Sequence, residues 1–113
     1  MAMKKIVRKY DGSAEFIVGD HYVNISQLHA KADSATPGHA TQVGSRYIVT
    51  AGTLITKTVG GDTPPVGFCF RDVDVTDGDA MIAVTVHAVV NESALPAVVS
   101  AENKAALKGI IFV

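Results

Sequence analysis

Residues 77–90 read DGDAMIAVTVHAVV, and this stretch decides the fold. The run Ala80–Val90 is rich in β-branched residues and contains neither Gly nor Pro, which predicts a long strand. Asp77-Gly78 is the strongest short signal for a hairpin turn. The strand is therefore expected to pair with the apolar run Val66–Val75 that precedes the turn.

Alternation within this strand divides its side chains between two predicted faces. One face is uniformly aliphatic and is expected to be buried: Ile82, Val84, Val86, Ala88 and Val90. The other face is mixed and is expected to meet solvent or another subunit: Met81, Ala83, Thr85, His87 and Val89. His87 is therefore a candidate interface residue.

Two further strands are predicted before residue 66. Arg46–Thr50 and Thr53–Val59 are rich in β-branched residues, and Ala51-Gly52 between them is a turn signal. The cluster Gly60–Pro65 that follows, GGDTPP, breaks regular structure and is expected to be a loop.

The first forty residues have a different character. Glu15–Val18 and Tyr22–Leu28 are short apolar runs, and Gly19-Asp20 between them is predicted to be a turn. The segment His29–Gln42 is aperiodic, rich in small residues and contains Pro37-Gly38. It is interpreted as a long loop or arm, a feature that is uncommon in a compact domain unless it docks or functions elsewhere.

The C-terminal segment changes period from strand to helix. Ser100 suits an N-cap, Lys108 suits the last turn, and Gly109 suits the stop, so a helix is predicted over residues 101–108. Ile110–Val113 is apolar and is expected to be a final strand.

These elements predict a fold that is mainly β with one short C-terminal helix. The expected architecture is a small β-rich, barrel-like or sandwich domain with an extended N-terminal arm. The chain divides into residues 1–42, which carry the arm, short strands and the long loop, and residues 43–113, which form the β-rich core with the helix.

Composition limits the function classes. The 113 residues suffice for one domain, and 48% hydrophobic against 19% charged residues excludes a disordered chain and suggests an apolar surface covered by a partner. No apolar run reaches the roughly 18 residues of a membrane span, and the basic start lacks the apolar segment of a signal peptide. The single cysteine, Cys69, is expected to be a buried small hydrophobe in a protein that folds in a reducing cytosol.

The N-terminus is the one strongly basic segment. Four of the ten basic residues lie among the first ten positions, followed by an aromatic residue, and these five are candidate interface residues: Lys4, Lys5, Arg8, Lys9 and Tyr10. A frayed, solvated terminus is the alternative interpretation. Because the net charge is −1 and Trp is absent, no direct nucleic-acid binding is expected.

No residue pattern predicts catalysis, a cofactor or a metal. Four carboxylates lie within Asp72–Asp79, but the sixth position lacks the Gly and the twelfth the bidentate Glu of an EF-hand loop. His29 and His39 share the long loop without ligand spacing to a third group, and no nucleophile or phosphate-binding motif occurs. The sequence therefore indicates a non-enzymatic protein without a cofactor.

The segment from Pro65 to the end resembles the head decoration proteins of lambda-like tailed phages. Pro65-Val66-Gly67 resembles the approach to the central strand of that family. Residues 72–79, DVDVTDGD, resemble its acidic strand and turn, and residues 90–95, VNESAL, resemble the motif after its next strand. Lys104-Ala105-Ala106-Leu107 with Gly109-Ile110 resembles its short helix and terminal strand, and Ala51-Gly52-Thr53-Leu54 resembles an earlier strand turn.

The resemblance implies a capsid-stabilising protein. Such a protein would bind the major capsid protein on the outer surface of the phage head, as a trimer, and hold the shell against the pressure of packaged DNA. It would be made in the cytoplasm of the bacterial host. Lys4, Lys5, Arg8, Lys9, Tyr10 and His87 would then lie at capsid or subunit contacts. Two alternatives remain open, a head-fibre base protein and a small β-barrel module that binds a ligand or metal through His29, His39 and Asp72–Asp79.

Overall fold

The computed structural model describes residues 15–30, 39–57 and 59–113. The predicted basic segment Lys4–Tyr10 and most of the predicted loop His29–Gln42 therefore lie outside the described residues. In chain order the elements are β1 Ile17–His29, β2 Thr41–Val43, β3 Arg46–Val49, β4 Leu54–Thr56, β5 Pro65–Cys69, β6 Val73–Asp74, β7 Ala80–Val90, a 3₁₀ helix Glu92–Ala94, α1 Ala101–Ala106 and β8 Ile110–Phe112.

The strands form two sheets, so the fold is mainly β with one short α-helix, as predicted. The larger sheet has the order β1-β7-β5-β4 with antiparallel neighbours, and β8 joins it by pairing parallel to the end of β7. The smaller sheet has the order β2-β3-β6 and is also antiparallel. Strand β7 is the centre of the larger sheet, with β1 along one side and β5 and β8 along the other.

The core lies on both faces of the larger sheet. Between the two sheets is the sheet-side core: Val49, Ile55, Cys69, Val75, Ile82 and Val84. On the opposite face, under α1, is the helix-side core: Phe16, Ile17, Phe68, Phe70, Ala88, Val90, Val99, Leu107 and Ile110. Consecutive residues of β5 face different cores, since Phe68 belongs to one and Cys69 to the other. The buried position predicted for Cys69 is confirmed, and burial raises the pKa of its thiol to about 11.

Strand β7 does not keep one buried face, which corrects the predicted alternation. Val23 of β1 pairs with His87 but the next residue, Asn24, pairs with Thr85, so Val86 is the extra residue of a β-bulge. Before the bulge Ile82 and Val84 enter the sheet-side core, whereas after it Ala88 and Val90 enter the helix-side core.

The bulge changes the burial of two residues. Val86, predicted to be buried, is half-buried, and Thr85, predicted to face solvent or a subunit, is fully buried. The hydroxyl of Thr85 donates a hydrogen bond of 2.7 Å to Oδ1 of Asn24, which satisfies the polar atom inside the sheet.

Two glycines let neighbouring backbone approach β7 at the bulge. A Cβ built on Gly67 would overlap the carbonyl oxygen of Thr85, and one built on Gly109 would overlap that of Val86. Gly109 was predicted as a helix stop, but α1 ends at Ala106 with Leu107 as its C-cap. Gly109 is required instead because the chain entering β8 passes close to β7. The N-cap prediction is confirmed, since Oγ of Ser100 accepts from the Asn103 amide at 3.2 Å.

Two predicted turns are wrong. Gly19-Asp20 does not separate two strands: both residues lie within β1, where the chain has extra residues relative to β7 and Gly19 adopts a φ of 84°. Asp77-Gly78 does not close a hairpin, because β6 pairs with β3 of the smaller sheet and β7 pairs within the larger one. The predicted strand Val66–Val75 is accordingly split into β5 and β6.

Candidate functional site

Strand β1 forms the most exposed apolar surface described on the molecule. It lies at the edge of the larger sheet, and among the described residues no strand pairs with its outer side. Five of its apolar side chains are exposed, and we call them the β1 strip: Val18, Tyr22, Val23, Ile25 and Leu28. Met81 of β7 pairs with Leu28 and is also exposed, so it extends the strip.

The β1 strip has apolar side chains on both faces of the strand. Successive residues of a strand point to opposite faces, so Val23 and Ile25 lie on one face and Tyr22 and Leu28 on the other. The Tyr22 ring contacts Phe70 with centroids 5.0 Å apart, which orients its apolar side against the sheet. Apart from His21 and His29, Asp20 is the only acidic or basic residue in β1.

Edge strands of monomeric proteins are usually short, bulged or protected by lysines, because their free backbone groups pair readily with other chains. β1 is 13 residues long and contains no lysine, and its own irregularity lies before Tyr22, so Tyr22–His29 remains a long regular edge. Its outer edge and apolar side chains therefore suit a partner that adds a strand and covers the strip.

His87 is exposed, as its position on the mixed face of β7 predicts. Its ring contacts His21 of β1 edge to face, with centroids 5.1 Å apart. The two histidines thus extend the β1 strip with a pair of polar aromatic rings. The other predicted interface residues, Lys4, Lys5, Arg8, Lys9 and Tyr10, lie outside the described residues.

The acidic segment Asp72–Asp79 forms internal contacts. Arg46 of β3 donates to Asp74 and to Asp77, at 2.9 Å each, and the amide of Ala51 donates to Asp72 at 2.7 Å. Asp74 also accepts from the Thr76 amide at 2.8 Å. These bonds, that of Thr76 first and that of Arg46 after it, lower the pKa of Asp74 to about 2. The carboxylates of Asp72, Asp74 and Asp77 therefore stabilise the packing of neighbouring strand ends.

His29 and His39, ten residues apart in the sequence, are brought together. His29 ends β1, His39 precedes β2, and Nε2 of His29 lies 3.3 Å from Nδ1 of His39. Nε2 of His39 contacts Oγ1 of Thr56 at 2.9 Å and accepts from the Thr56 amide at 3.2 Å. Burial, and secondarily the neighbouring His29, lower the pKa of His39.

Spacing along the chain could not reveal this pair, because the intervening residues give no periodic pattern. The two histidines could have been paired from their positions relative to the predicted loop. His29 and His39 lie at the two ends of the predicted loop, which must come close together if the loop leaves and re-enters one compact domain. The structure does not assemble the predicted alternative site of both histidines with Asp72–Asp79: within residues 15–30, 39–57 and 59–113, no three His, Cys, Asp or Glu side chains are grouped to hold a metal ion.

No helix within the described part of the chain has the length and apolar character of a membrane span. Comparison of the chain with models of protein families, with curated proteins and with solved structures gives no match.

Proposed function

We propose that this chain is a decoration protein of a phage head, which binds the major capsid protein on the outer capsid surface and stabilises the shell against internal DNA pressure. The observation that carries the proposal is the β1 strip, a long edge with exposed apolar side chains on both faces, whose outer side pairs with no strand of the described residues. A protein that binds to the capsid surface needs an exposed edge of this kind for the contact. Because it acts by binding in a fixed ratio to the capsid protein, it requires no catalytic group.

The sequence resemblance supports the same proposal. Its segments occur in family order, and in this fold they are neighbours: VNESAL spans the end of β7 and the 3₁₀ helix, while the helix and terminal-strand motif forms α1 and the start of β8. Lys104 of α1 forms an ion pair with Glu92 of the VNESAL segment. These two segments thus lie together at the end of β7, and β1 lies across β7 from β8.

The test is binding to phage heads assembled from the major capsid protein that the proposal makes the partner, in expanded and unexpanded forms. We expect saturable cosedimentation with expanded heads, at a fixed ratio to capsid protein, and slower disruption of those heads on heating. Val23→Lys places a charge in the β1 strip and should weaken binding at least tenfold. Val98→Lys is the matched control, since Val98 is 94% exposed and lies outside the strip.

Two results would contradict this proposal. One is the absence of saturable binding to either form of the head. The other is equal loss of binding in Val23→Lys and Val98→Lys, which would show that a general change of charge, and not the β1 strip, is responsible.

We further propose that three copies assemble at local three-fold positions of the shell, with His87 near the contact between subunits or with the capsid. In a three-fold ring each contact joins two different surfaces, so the β1 strip of one copy would be covered by another surface of the next copy or of the capsid. A density map of decorated heads tests this directly. Density only for isolated copies away from three-fold positions would exclude the trimer.

The basic segment Met1–Tyr10 is proposed to contact acidic groups of the capsid. Four of its ten residues are cationic, so acidic groups on the capsid surface are the partners that its charge favours. A chain that lacks residues 1–10 should fold, as judged by circular dichroism, and bind expanded heads more weakly. If it binds as well as the full chain, the anchor lies elsewhere.

A further inference from the structure

The pair formed by His29 and His39 has the dimensions of a two-histidine metal site. Metal–nitrogen distances to zinc are 2.0–2.1 Å in proteins, so two imidazole nitrogens on one tetrahedral ion lie about 3.3–3.4 Å apart. Nε2 of His29 and Nδ1 of His39 are 3.3 Å apart. The ring centroids are 5.4 Å apart, and each lone pair would have to point about 35° away from the line joining the two nitrogens to meet at a shared tetrahedral ion.

Each ring also has a hydrogen-bond acceptor at the nitrogen that would not bind the ion. Nδ1 of His29 lies 2.8 Å from the carbonyl oxygen of Ala30. Nε2 of His39 lies 2.9 Å from Oγ1 of Thr56. Histidine ligands in proteins commonly donate their second N–H to such an oxygen, which fixes the ring orientation and the tautomer.

We propose that His29 Nε2 and His39 Nδ1 form a bidentate site for a divalent transition-metal ion such as Zn²⁺, with water completing the coordination. Imidazole nitrogen suits Zn²⁺, Cu²⁺ and Ni²⁺, whereas Mg²⁺ and Ca²⁺ prefer carboxylate and carbonyl oxygens. His29 is half-buried, so water can reach its side of the pair and complete the coordination.

Metal binding requires a change of tautomer in one ring. Without metal, His39 Nε2 accepts from the Thr56 amide, so the proton is on Nδ1 and is donated to His29 Nε2. On binding, two nitrogen–metal bonds form and the His39 proton moves from Nδ1 to Nε2, where it is donated to Oγ1 of Thr56. The Thr56 amide then loses its hydrogen bond to Nε2 and must turn to water, a cost that metal binding has to exceed. Both rings remain neutral, and no net proton is released when they are already neutral.

The ion would link both sheets of the fold. His29 is the last residue of β1 in the larger sheet, and His39 leads into β2 of the smaller sheet. Because the ion would bind the folded arrangement, it should raise the unfolding temperature. This site is independent of capsid binding and can be tested on the purified full-length chain.

The first test is titration of the metal-free chain with Zn²⁺ by calorimetry at pH 7.5. We expect one ion per chain and, at tenfold excess over the dissociation constant, a rise in Tm of about 5 °C. His29→Gln should weaken binding at least tenfold. The double variant His21→Gln/His87→Gln removes the other histidine pair and should leave binding unchanged.

The second test uses the unaltered chain, so it does not depend on a variant folding correctly. The ¹⁵N chemical shifts of the histidine rings report which nitrogen carries the proton. We expect the His39 proton on Nδ1 without metal and on Nε2 when Zn²⁺ is bound. Absence of ring shifts on addition of Zn²⁺, or loss of the calorimetric site in His21→Gln/His87→Gln and not in His29→Gln, would overturn the proposal.

Discussion

Strands β1 and β7 pair along most of their lengths and are both rich in β-branched and aliphatic residues, yet one is exposed and the other is buried. Ile25 of β1 pairs directly with Val84 of β7, but Ile25 is 45% exposed and Val84 is 0% exposed. The difference comes from their neighbours: β7 lies between β1 and β5, whereas β7 alone among the described strands pairs with β1. Position in the sheet, and not the character of the strand, therefore determines which residues form core and which form the proposed docking surface.

The largest expected effect on stability comes from introducing aspartate at three positions of β1 and β7, one position in each variant. Val84→Asp should prevent folding, because an unpaired carboxylate in a dry core costs more than about 4 kcal/mol, a large part of the stability of a small domain. Ile25→Asp should fold, since its side chain reaches water. Val86→Asp, at the half-buried bulge, should be intermediate. The free energy of unfolding in urea measures the order, and equal tolerance at Val84 and Ile25 would refute the contrast.

The next effect concerns the close approach of other strands to β7. Gly109→Ala should reduce the free energy of unfolding by about 1–3 kcal/mol, because its Cβ meets the carbonyl oxygen of Val86 and backbone must shift. Gly78→Ala is the matched control: nothing lies within 4 Å of its Cβ, so a change within about 0.5 kcal/mol is expected. Comparable losses in the two variants would mean that the approach at Gly109 is not tight.

A smaller effect is expected where β1 and β7 share a polar contact. Thr85→Val removes the donor to Asn24 Oδ1 while keeping the shape of the buried side chain. We expect a loss of about 1–2 kcal/mol, since a partly buried acceptor remains without its donor. Thr85→Ser keeps the hydroxyl but loses a buried methyl group, so it measures the packing contribution separately. If Thr85→Val is as stable as the unaltered chain, the hydrogen bond does not contribute.

The smallest expected effects are changes in stability with pH. They distinguish His39, which contacts the end of β1, from the acidic segment Asp72–Asp79. The pKa of His39 is lowered in the folded chain, so the unfolded ring takes up its proton first and stability decreases as pH falls through 6.5. The pKa of Asp74 is about 2 against 3.8 unfolded, so its contribution is present above about pH 4 and is lost towards pH 2. Urea unfolding from pH 8 to 2 should show both steps, and His39→Gln should remove only the first.

Local patterns in the sequence predicted much of the fold, because those features depend on neighbouring residues. Ser100 caps α1 as its residue type indicates, and the mainly β fold and the burial of Cys69 follow from apolar runs. The bulge at Val86 could not be predicted, since Val and His occur readily in regular strands. The bulge lies between the part of β7 that pairs with β5 and the part that pairs with β8. Both partners are distant in sequence, so the local pattern does not reveal it. The same is true of Gly109, whose function depends on the Val86 carbonyl and not on the end of the helix.

The candidate site was less predictable than the fold. His87 was predicted on the exposed face of β7, which is confirmed, but its contact with His21 depends on the extra residues in β1. The exposure of Ile25 and Val23 could not be inferred from their types, since strongly apolar strand residues are usually core. It becomes evident only when β1 is known to be an edge strand.

The pairing of β1 with β7 has a consequence for how the chain folds during synthesis. Ile25 and Val84 are far apart in sequence, and such non-local pairing slows folding because a long loop must close first. At about 5–20 residues per second, the ribosome needs roughly 3–10 s to extend the chain from His29 to Ala80. During that interval β1 has no β7 to pair with, so its apolar residues are available to chaperones. The side chains that we propose to contact the capsid at the end of assembly are thus also the first to need protection in the nascent chain.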